Sequence, residues 1–498
     1  MLNIEKIRSR IADELKTWDQ PSIAVGIIKD GEVLLNEGFG FRDVENQLPA
    51  GPDTMYQIGS CSKSFTAAAA ALLVDRGLLD WDKPVVEYLP WLRFKDDFVT
   101  AHATTRDMLC FRTGLPRHDA YWIDGPVTRR GMAENIRNMQ PGWSFRSTWC
   151  YQNTTCTAIG VLIEELSGMT WEEFLTKEFL EPLGMTRTTF YVDAISADPD
   201  HGVPYERDLP TDMNGYKPCP FLKSDREDMA KGIGAPYGPA GSIMSTTSDM
   251  LKWLSFNLNN GKVGDKQIVS EANMKEIHKP QMLLSQPLLV AFPHQDFFSY
   301  GMGWFVETHR GHVMVEHGGN INGFSALMTM IPDQDLGIVT LTNFNNSFDT
   351  YATAFSIVDD CLGADDVDWN EYFRKLIADV FASQPAQMEA MNGKPVPGTS
   401  PSHPLEAYAG TYTNVCYGDM VISCKEDKLY FLYNKAESPL KHFHYDAFQV
   451  DDPRALFSDM VIYFQTAKDG TVGSLSMAIA LNPEIPDEVF VRKTEDKE

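Results

Sequence analysis

The sequence predicts an α/β (α+β) protein: an antiparallel sheet flanked by helices, with an all-helical subdomain, followed by a small C-terminal β-barrel. Three observations predict it. Two β-rich runs, SIAVGIIK and EVLLNEGFGF, flank Asp30-Gly31, a strong hairpin signal. A long helical middle follows, and strand signals return only near residue 304. Beyond KPVPGTSPSHP (394–404), a Pro-, Ser- and Gly-rich linker, short strands alternate with turns to the end of the chain.

The elements follow in order. Ile4, Ile7, Ile11, Leu15 and Trp18 recur at helical spacing over 3–18, and Pro21 closes that segment. The run SCSKSFTAAAAALLVDR (60–76) is apolar on nearly every side, which predicts a buried helix ending before Gly77. Further helices are expected at 104–111, 154–167, 171–180 and 248–258. GWFVETHR and HVMVEHGG form a second hairpin around Arg310-Gly311; FSALMTMIP and LGIVTLTN follow, and a helix over 350–361 closes the unit. Strands from both ends of this stretch can share one sheet. Residues 366–391 read as a polar helix. Six strands are expected after the linker: MVISC, KLYFLYN, FHYDAFQV, MVIYFQ, SLSMAIA and EVFVR. The division is therefore 1–365, a helix and linker over 366–404, and a β-barrel over 405–498.

At 498 residues the chain exceeds one compact core. A hydrophobic fraction of 43% with 22% charged residues excludes large-scale disorder. The net charge of -26 repels phosphate backbones and anionic lipid, so no nucleic-acid or membrane partner is expected. Eight scattered cysteines without CxxC pairs fit a reduced compartment. MLNIEKIRSRIADELK has no apolar core, unlike a signal peptide, and no apolar run approaches a membrane span. A cytoplasmic location is the expectation.

Ser60-Cys61-Ser62-Lys63 fits S-x-x-K. Residues three apart share a helix face, so Lys63 can reach the Ser60 hydroxyl. A serine needs a base to become a nucleophile, and a lysine serves only when burial keeps it neutral. The motif alone carries little, because Ser438-Pro439-Leu440-Lys441 fits it too. Partners downstream decide between them. In Tyr151-Gln152-Asn153 a phenol can shuttle a proton and an amide can hold the lysine and the substrate; Tyr412-Thr413-Asn414 is a second copy, within the β module. In His317-Gly318-Gly319 two glycines at a strand end let substrate lie against the backbone, and the N–H groups of Ser60 and Asn320 can pair as an oxyanion hole. His309-Arg310-Gly311 is set aside because it falls in a hairpin turn.

These three motifs in this order resemble the S-x-x-K acyltransferases: class C β-lactamases, D-alanyl-D-alanine carboxypeptidases, D-aminopeptidases and related esterases. RTGLPRHD (112–119), PAGSIMSTTSDMLKW (239–253) and YGMGWFVE (300–307) resemble that family as well. The likeness covers about 5–362, and the tail over 405–493 is similar to a lipocalin-like domain. The resemblance implies a β-lactamase/transpeptidase-like catalytic domain. Ser60 would be acylated, Lys63 would act as base, Tyr151 would relay the proton, and His317 would stand where lactamases carry lysine. Asn153, Gly318, Gly319 and Asn320 would bind substrate. No metal or organic cofactor is implied, and the substrate would be a small molecule or peptide.

One departure bears on specificity. Histidine replaces the lysine of K-T-G, and histidine is mostly neutral at pH 7. Losing that charge weakens recognition of a carboxylate beyond the scissile bond. This favours aminopeptidase, amidase or esterase chemistry over β-lactamase action. The leading expectation is a peptidase or amidase acting on D-amino-acid-containing peptides, of D-aminopeptidase or carboxypeptidase type; a β-lactamase or carboxylesterase is the runner-up, and a catalytically silent penicillin-recognising scaffold is the non-enzymatic alternative. Arg112, Arg117 or Arg146 could restore the charge. Cys416, Cys424, His442 and His444 fit no usual zinc spacing. The C-terminal module has two readings, shaping one side of the cleft or assembling a homo-oligomer.

Overall fold

The computed structural model describes residues 2–208, 215–284, 292–452, 457–480, 482 and 485–494. Helix α1 (Ile4–Trp18) starts where the Asn3 side chain accepts from the Lys6 N–H at 3.1 Å, and it ends at Asp19 in a left-handed conformation. Strands β1 (Ser22–Lys29) and β2 (Glu32–Asp43) form the expected hairpin. Asp30 and Gly31 both have positive φ, as a two-residue turn of this twist requires.

A short strand, β3 (Leu48–Pro49), pairs with β2. The helical middle contributes α2 (Ser62–Asp75), α3 (Asn153–Ser167) and α4 (Thr247–Leu258). The segment expected as a helix over 171–180 is α-helical only to Leu175 and continues as a wider π turn over Thr176–Leu180.

The returning strands are β4 (Met282–Leu283), β5 (Phe298–Tyr300), β6 (Phe305–His309), β7 (His312–Ile321), β8 (Phe324–Ile331) and β9 (Leu336–Thr342). The sheet is antiparallel and nine-stranded, in the order β4-β5-β6-β7-β8-β9-β1-β2-β3. Lys29 lies opposite Leu336, so the first strand of the chain closes against the last of the sheet.

Alternation along β1 divides the core into two layers. Ile23, Val25 and Ile27 pack with α1, α5 (Asp349–Leu362) and α6 (Trp369–Asn392), where Phe355, Trp369 and Phe373 gather. Ala24 and Ile28 face the other layer, with α2 and α4. Between them Gly26 has no room for a side chain: a Cβ there would lie 2.9 Å from Leu251 of α4.

The C-terminal strands close into an eight-stranded barrel: β10 (Gly410–Asn414), β11 (Gly418–Lys425), β12 (Lys428–Tyr433), β13 (Ala436–His444), β14 (Ala447–Val450), β15 (Val461–Thr466), β16 (Val472–Met477) and β17 (Glu488–Arg492). Two strands beyond the six expected arise here. FHYDAFQV is not one strand, because Tyr445 adopts a positive φ and splits it into a hairpin. Tyr408, Tyr412, Phe448 and Phe464 stack edge-on within the barrel core.

Candidate active site

Ser60 lies in a single 3-10 turn, Gly59–Cys61, that runs directly into α2. The Ser62 hydroxyl donates to the Gly59 carbonyl at 2.7 Å and accepts from the Ile243 N–H at 3.0 Å, fixing the turn to the chain beneath it. One helical turn on, Lys63 is fully buried among the alanines of α2. Its Nζ lies 3.0 Å from Ser60 Oγ and donates to the Ala240 carbonyl at 2.6 Å. Burial penalises the ammonium and, with Arg117 nearby, brings its pKa down to about 8. A minor neutral fraction, about a tenth at pH 7, can therefore take a proton from Ser60.

Strand β7 passes hard against this turn. A Cβ on Gly319 would stand 2.0 Å from the Ile58 carbonyl oxygen and 2.9 Å from the Ser60 amide nitrogen, and one on Gly318 would stand 2.4 Å from the Tyr351 hydroxyl. Gly59 has φ +51, and a Cβ there would meet the Asn320 amide nitrogen at 2.9 Å. These contacts set the backbone nitrogens of Ser60 and Asn320 close together, and two N–H groups so placed suit a developing oxyanion. The Asn320 side chain is occupied as acceptor to the Ser325 hydroxyl at 2.7 Å.

Tyr151 reaches the same place from the loop ahead of α3. Lys63 Nζ is 4.7 Å from its ring centroid. Burial drives the Tyr151 pKa far above its usual value, against the opposing pull of Ser60 and Arg117. Tyr151 is thus a phenol that can relay a proton, not a standing phenolate. Arg117 covers the other side, its guanidinium 5.2 Å from the Tyr151 ring centroid and its side chain 57% exposed.

Asn153 sits at the first turn of α3, but its amide nitrogen is held at 3.1 Å by both carboxylate oxygens of Asp119. Lys63 is held instead by the Ala240 carbonyl. Asp119 also accepts from the Trp122 indole at 2.9 Å and from Arg117 Nε.

His317 is buried beneath the cleft with both ring nitrogens engaged. Nδ1 lies 2.6 Å from the Gly318 carbonyl, which can only accept, so Nδ1 carries the proton and Nε2 accepts from the Tyr300 hydroxyl at 2.9 Å. Burial, reinforced by Lys63, lowers its pKa to about 3. His317 is neutral at any physiological pH.

The three arginines separate cleanly. Arg112 Nε donates to Asp107 at 2.6 Å and Arg146 makes a two-point contact with the same buried carboxylate at 2.9 and 2.7 Å. Only Arg117 stands beside the Tyr151 ring. Sequence reasoning missed Ala240, Asp119 and Tyr300 as parts of the site. They fall within PAGSIMSTTSDMLKW, RTGLPRHD and YGMGWFVE, so their stretches were singled out though their contacts were not.

The rejected motif copies lie elsewhere. Ser438 is buried on β13 and Tyr412 within the barrel, and His309 pairs with Asp359 at 2.7 Å behind the sheet.

Known proteins resemble this chain in sequence and in fold. A family model described as Beta-lactamase matches residues 7–359, and one described as Domain of unknown function (DUF3471) matches 394–492. Unguisins hydrolase ungD of Aspergillus violaceofuscus is 27% identical over 469 residues, covering 86% of this chain and 78% of that protein. Protein flp of Staphylococcus aureus is 26% identical over 352 residues, covering 69% and 64%. Among solved structures, the octameric penicillin-binding protein homologue from Pyrococcus abyssi aligns with a TM-score of 0.62 at 22% identity, over 99% of this chain and all of that one. A class C beta lactamase from Rhodobacter sphaeroides aligns with a TM-score of 0.56 at 21% identity, over 72% and 98%.

Proposed function

Because the chain belongs to the beta-lactamase family over residues 7–359, we propose that it is a serine hydrolase that forms an acyl-enzyme at Ser60. The observation that carries this reading is the buried Lys63 amine, 3.0 Å from Ser60 Oγ and with its pKa lowered by burial to about 8. In this reading Ser60 Oγ attacks a carbonyl carbon while its proton passes to Lys63. The N–H groups of Ser60 and Asn320 hold the oxyanion, along the edge that Gly318 and Gly319 keep clear. Tyr151 gives its phenolic proton to the leaving nitrogen or oxygen and regains one from Lys63. Water then hydrolyses the ester at Ser60.

The substrate class we favour is a peptide or amide containing a D-amino acid. The Aspergillus relative is named as a hydrolase, which favours a hydrolytic enzyme over a silent scaffold. A neutral His317 supplies no charge for a carboxylate, in keeping with its role as a buried support for β7. Arg117, paired with Asp119 yet 57% exposed, carries such a charge beside Tyr151, whereas the 12%-exposed Asp119 carboxylate is taken up by Asn153, Trp122 and Arg117. That balance favours carboxypeptidase-type cleavage, with the substrate carboxylate toward Arg117, over capture of a free amine. It also keeps β-lactams as a second reading.

Intact-mass analysis after exposure to a fluorescent penicillin and a fluorophosphonate tests the nucleophile: the wild type gains one label and Ser60→Ala gains none. Equal labelling of both sinks the assignment. Rapid nitrocefin turnover would establish the second reading, and hydrolysis restricted to simple esters would remove the peptidase one.

A further inference from the structure

We propose that Tyr417, on the C-terminal barrel, is a positioning residue of the Ser60 site, holding the Arg117–Asp119 segment against Tyr151 and Asn153 through His118. The proposal rests on the reading of Ser60 as the nucleophile.

The central contact is a buried hydrogen bond between the barrel and the catalytic domain. Tyr417 lies on the turn between β10 and β11, and its hydroxyl is 2.5 Å from His118 Nδ1. His118 Nε2 faces the Gln140 carbonyl at 3.2 Å, so Nε2 carries the ring proton and Nδ1 accepts from Tyr417. Both side chains are buried, and burial lowers the His118 pKa to about 4, which keeps the ring in that neutral form.

The turn that presents Tyr417 is itself rigid. Asn414 Oδ1 accepts from the N–H groups of Cys416 and Tyr417 at 2.8 and 3.2 Å, and Asn135 donates to the Cys416 carbonyl at 2.8 Å.

A second barrel turn acts on the same segment. Asn434 Nδ2 donates to the carbonyls of Ala120 and Ile123, at 3.3 and 2.8 Å. Residues 118–123 are thus gripped from the barrel side, while the neighbours of His118 face the cleft: Arg117 lies over the Tyr151 ring and Asp119 holds Asn153. A shift of His118 moves both. Misplacing substrate-facing groups by small distances weakens productive binding.

The test uses the full-length chain and a fluorophosphonate with a carboxylate-ended alkyl arm, read as the saturation constant and limiting rate of Ser60 labelling. Tyr417→Phe keeps the ring and removes the donor. The expected result is a saturation constant raised about fivefold or more, with one label per chain at completion, as in the wild type. Asn434→Ala should move the constant in the same direction. A merely structural role predicts something else: a smaller labelled fraction with an unchanged saturation constant, which overturns the proposal. So does a Tyr417→Phe chain indistinguishable from wild type. If the wild-type chain takes no label at Ser60, the hydrolase reading falls and this one with it; if it labels normally and the variants match it, only this one falls.

Discussion

Gly319 and Ile58 are in backbone contact: a Cβ on the glycine would lie 2.0 Å from the isoleucine carbonyl oxygen. The atom it would strike belongs to the turn that carries Ser60, so Gly319→Ala has to push strand β7 away from the nucleophile. Labelling of Ser60 by a fluorophosphonate should slow at least about a hundredfold, the usual consequence of losing an oxyanion donor. Gly51→Ala, where the nearest atom is 3.9 Å away, should label at the wild-type rate.

Lys63 makes activity pH-dependent. Its neutral form is the base, so acylation should rise through about pH 8 and level off above it. Lys63→Met should abolish labelling. Stability moves with it. Between pH 8 and the ordinary lysine value of 10.5 the unfolded chain holds a proton that the folded chain has released, so stability rises with pH in that window. Below it the buried charge costs about 3 kcal/mol. Thermal melts should therefore show Lys63→Met gaining on wild type at pH 7 and losing that advantage by pH 10.5.

His317 should be silent in the pH–rate profile near 6.5. Its depressed pKa instead destabilises the fold in acid: from 6.5 down toward 3 the unfolded chain binds a proton that the folded ring refuses. Tyr300→Phe strips the donor from His317 Nε2 and should cost about 1–3 kcal/mol in urea unfolding. A rate limb near 6.5 that vanishes in His317→Asn would contradict this picture.

Arg117→Gln separates charge from shape. Paired substrates that differ only in a carboxylate or carboxamide beyond the scissile bond should be distinguished by the wild type. The ratio of their kcat/KM values should fall about tenfold in the variant, with Arg117→Lys between the two. An unchanged ratio would assign Arg117 to packing on Tyr151 alone.

Asp107 is the buried anchor for Arg112 and Arg146, and these partners hold its carboxyl below the ordinary aspartate value despite burial. Asp107→Asn leaves two guanidinium groups without a counter-charge and should cost about 3–5 kcal/mol. The wild-type contribution is present above pH 3.8 and is lost as the pH drops through the folded value, which acid titration of the two proteins compares directly.

Much of the fold was legible because it rests on local rules. Asp30-Gly31 and Arg310-Gly311 both adopt the paired positive φ that closes a two-residue hairpin. The alanine run of α2 is buried on every side, as its lack of a polar face implied. The barrel was harder: Tyr445 is not a usual turn residue, yet with Asp446 it makes a two-residue loop between His444 and Ala447 and takes a positive φ.

The candidate site divides the same way. Ser60 and Lys63 are one helical turn apart, so their meeting follows from spacing. That Ala240 rather than Asn153 accepts from Lys63 does not, because residues 177 apart meet only through packing. Which of three arginines faces Tyr151 was equally invisible, since it depends on where one buried carboxylate, Asp107, draws the other two.

The pairing of β1 with β9 has a cost during synthesis. Lys29 meets Leu336, a partner translated about 300 residues later. At ribosomal speeds of about 5–20 residues per second, the β1–β2 hairpin waits roughly 15–60 s with one edge open and its isoleucine face uncovered. Such an edge invites pairing with another nascent chain. Chaperone capture during translation, or a slowed ribosome, should therefore govern the yield of this protein more than the stability of the finished sheet does.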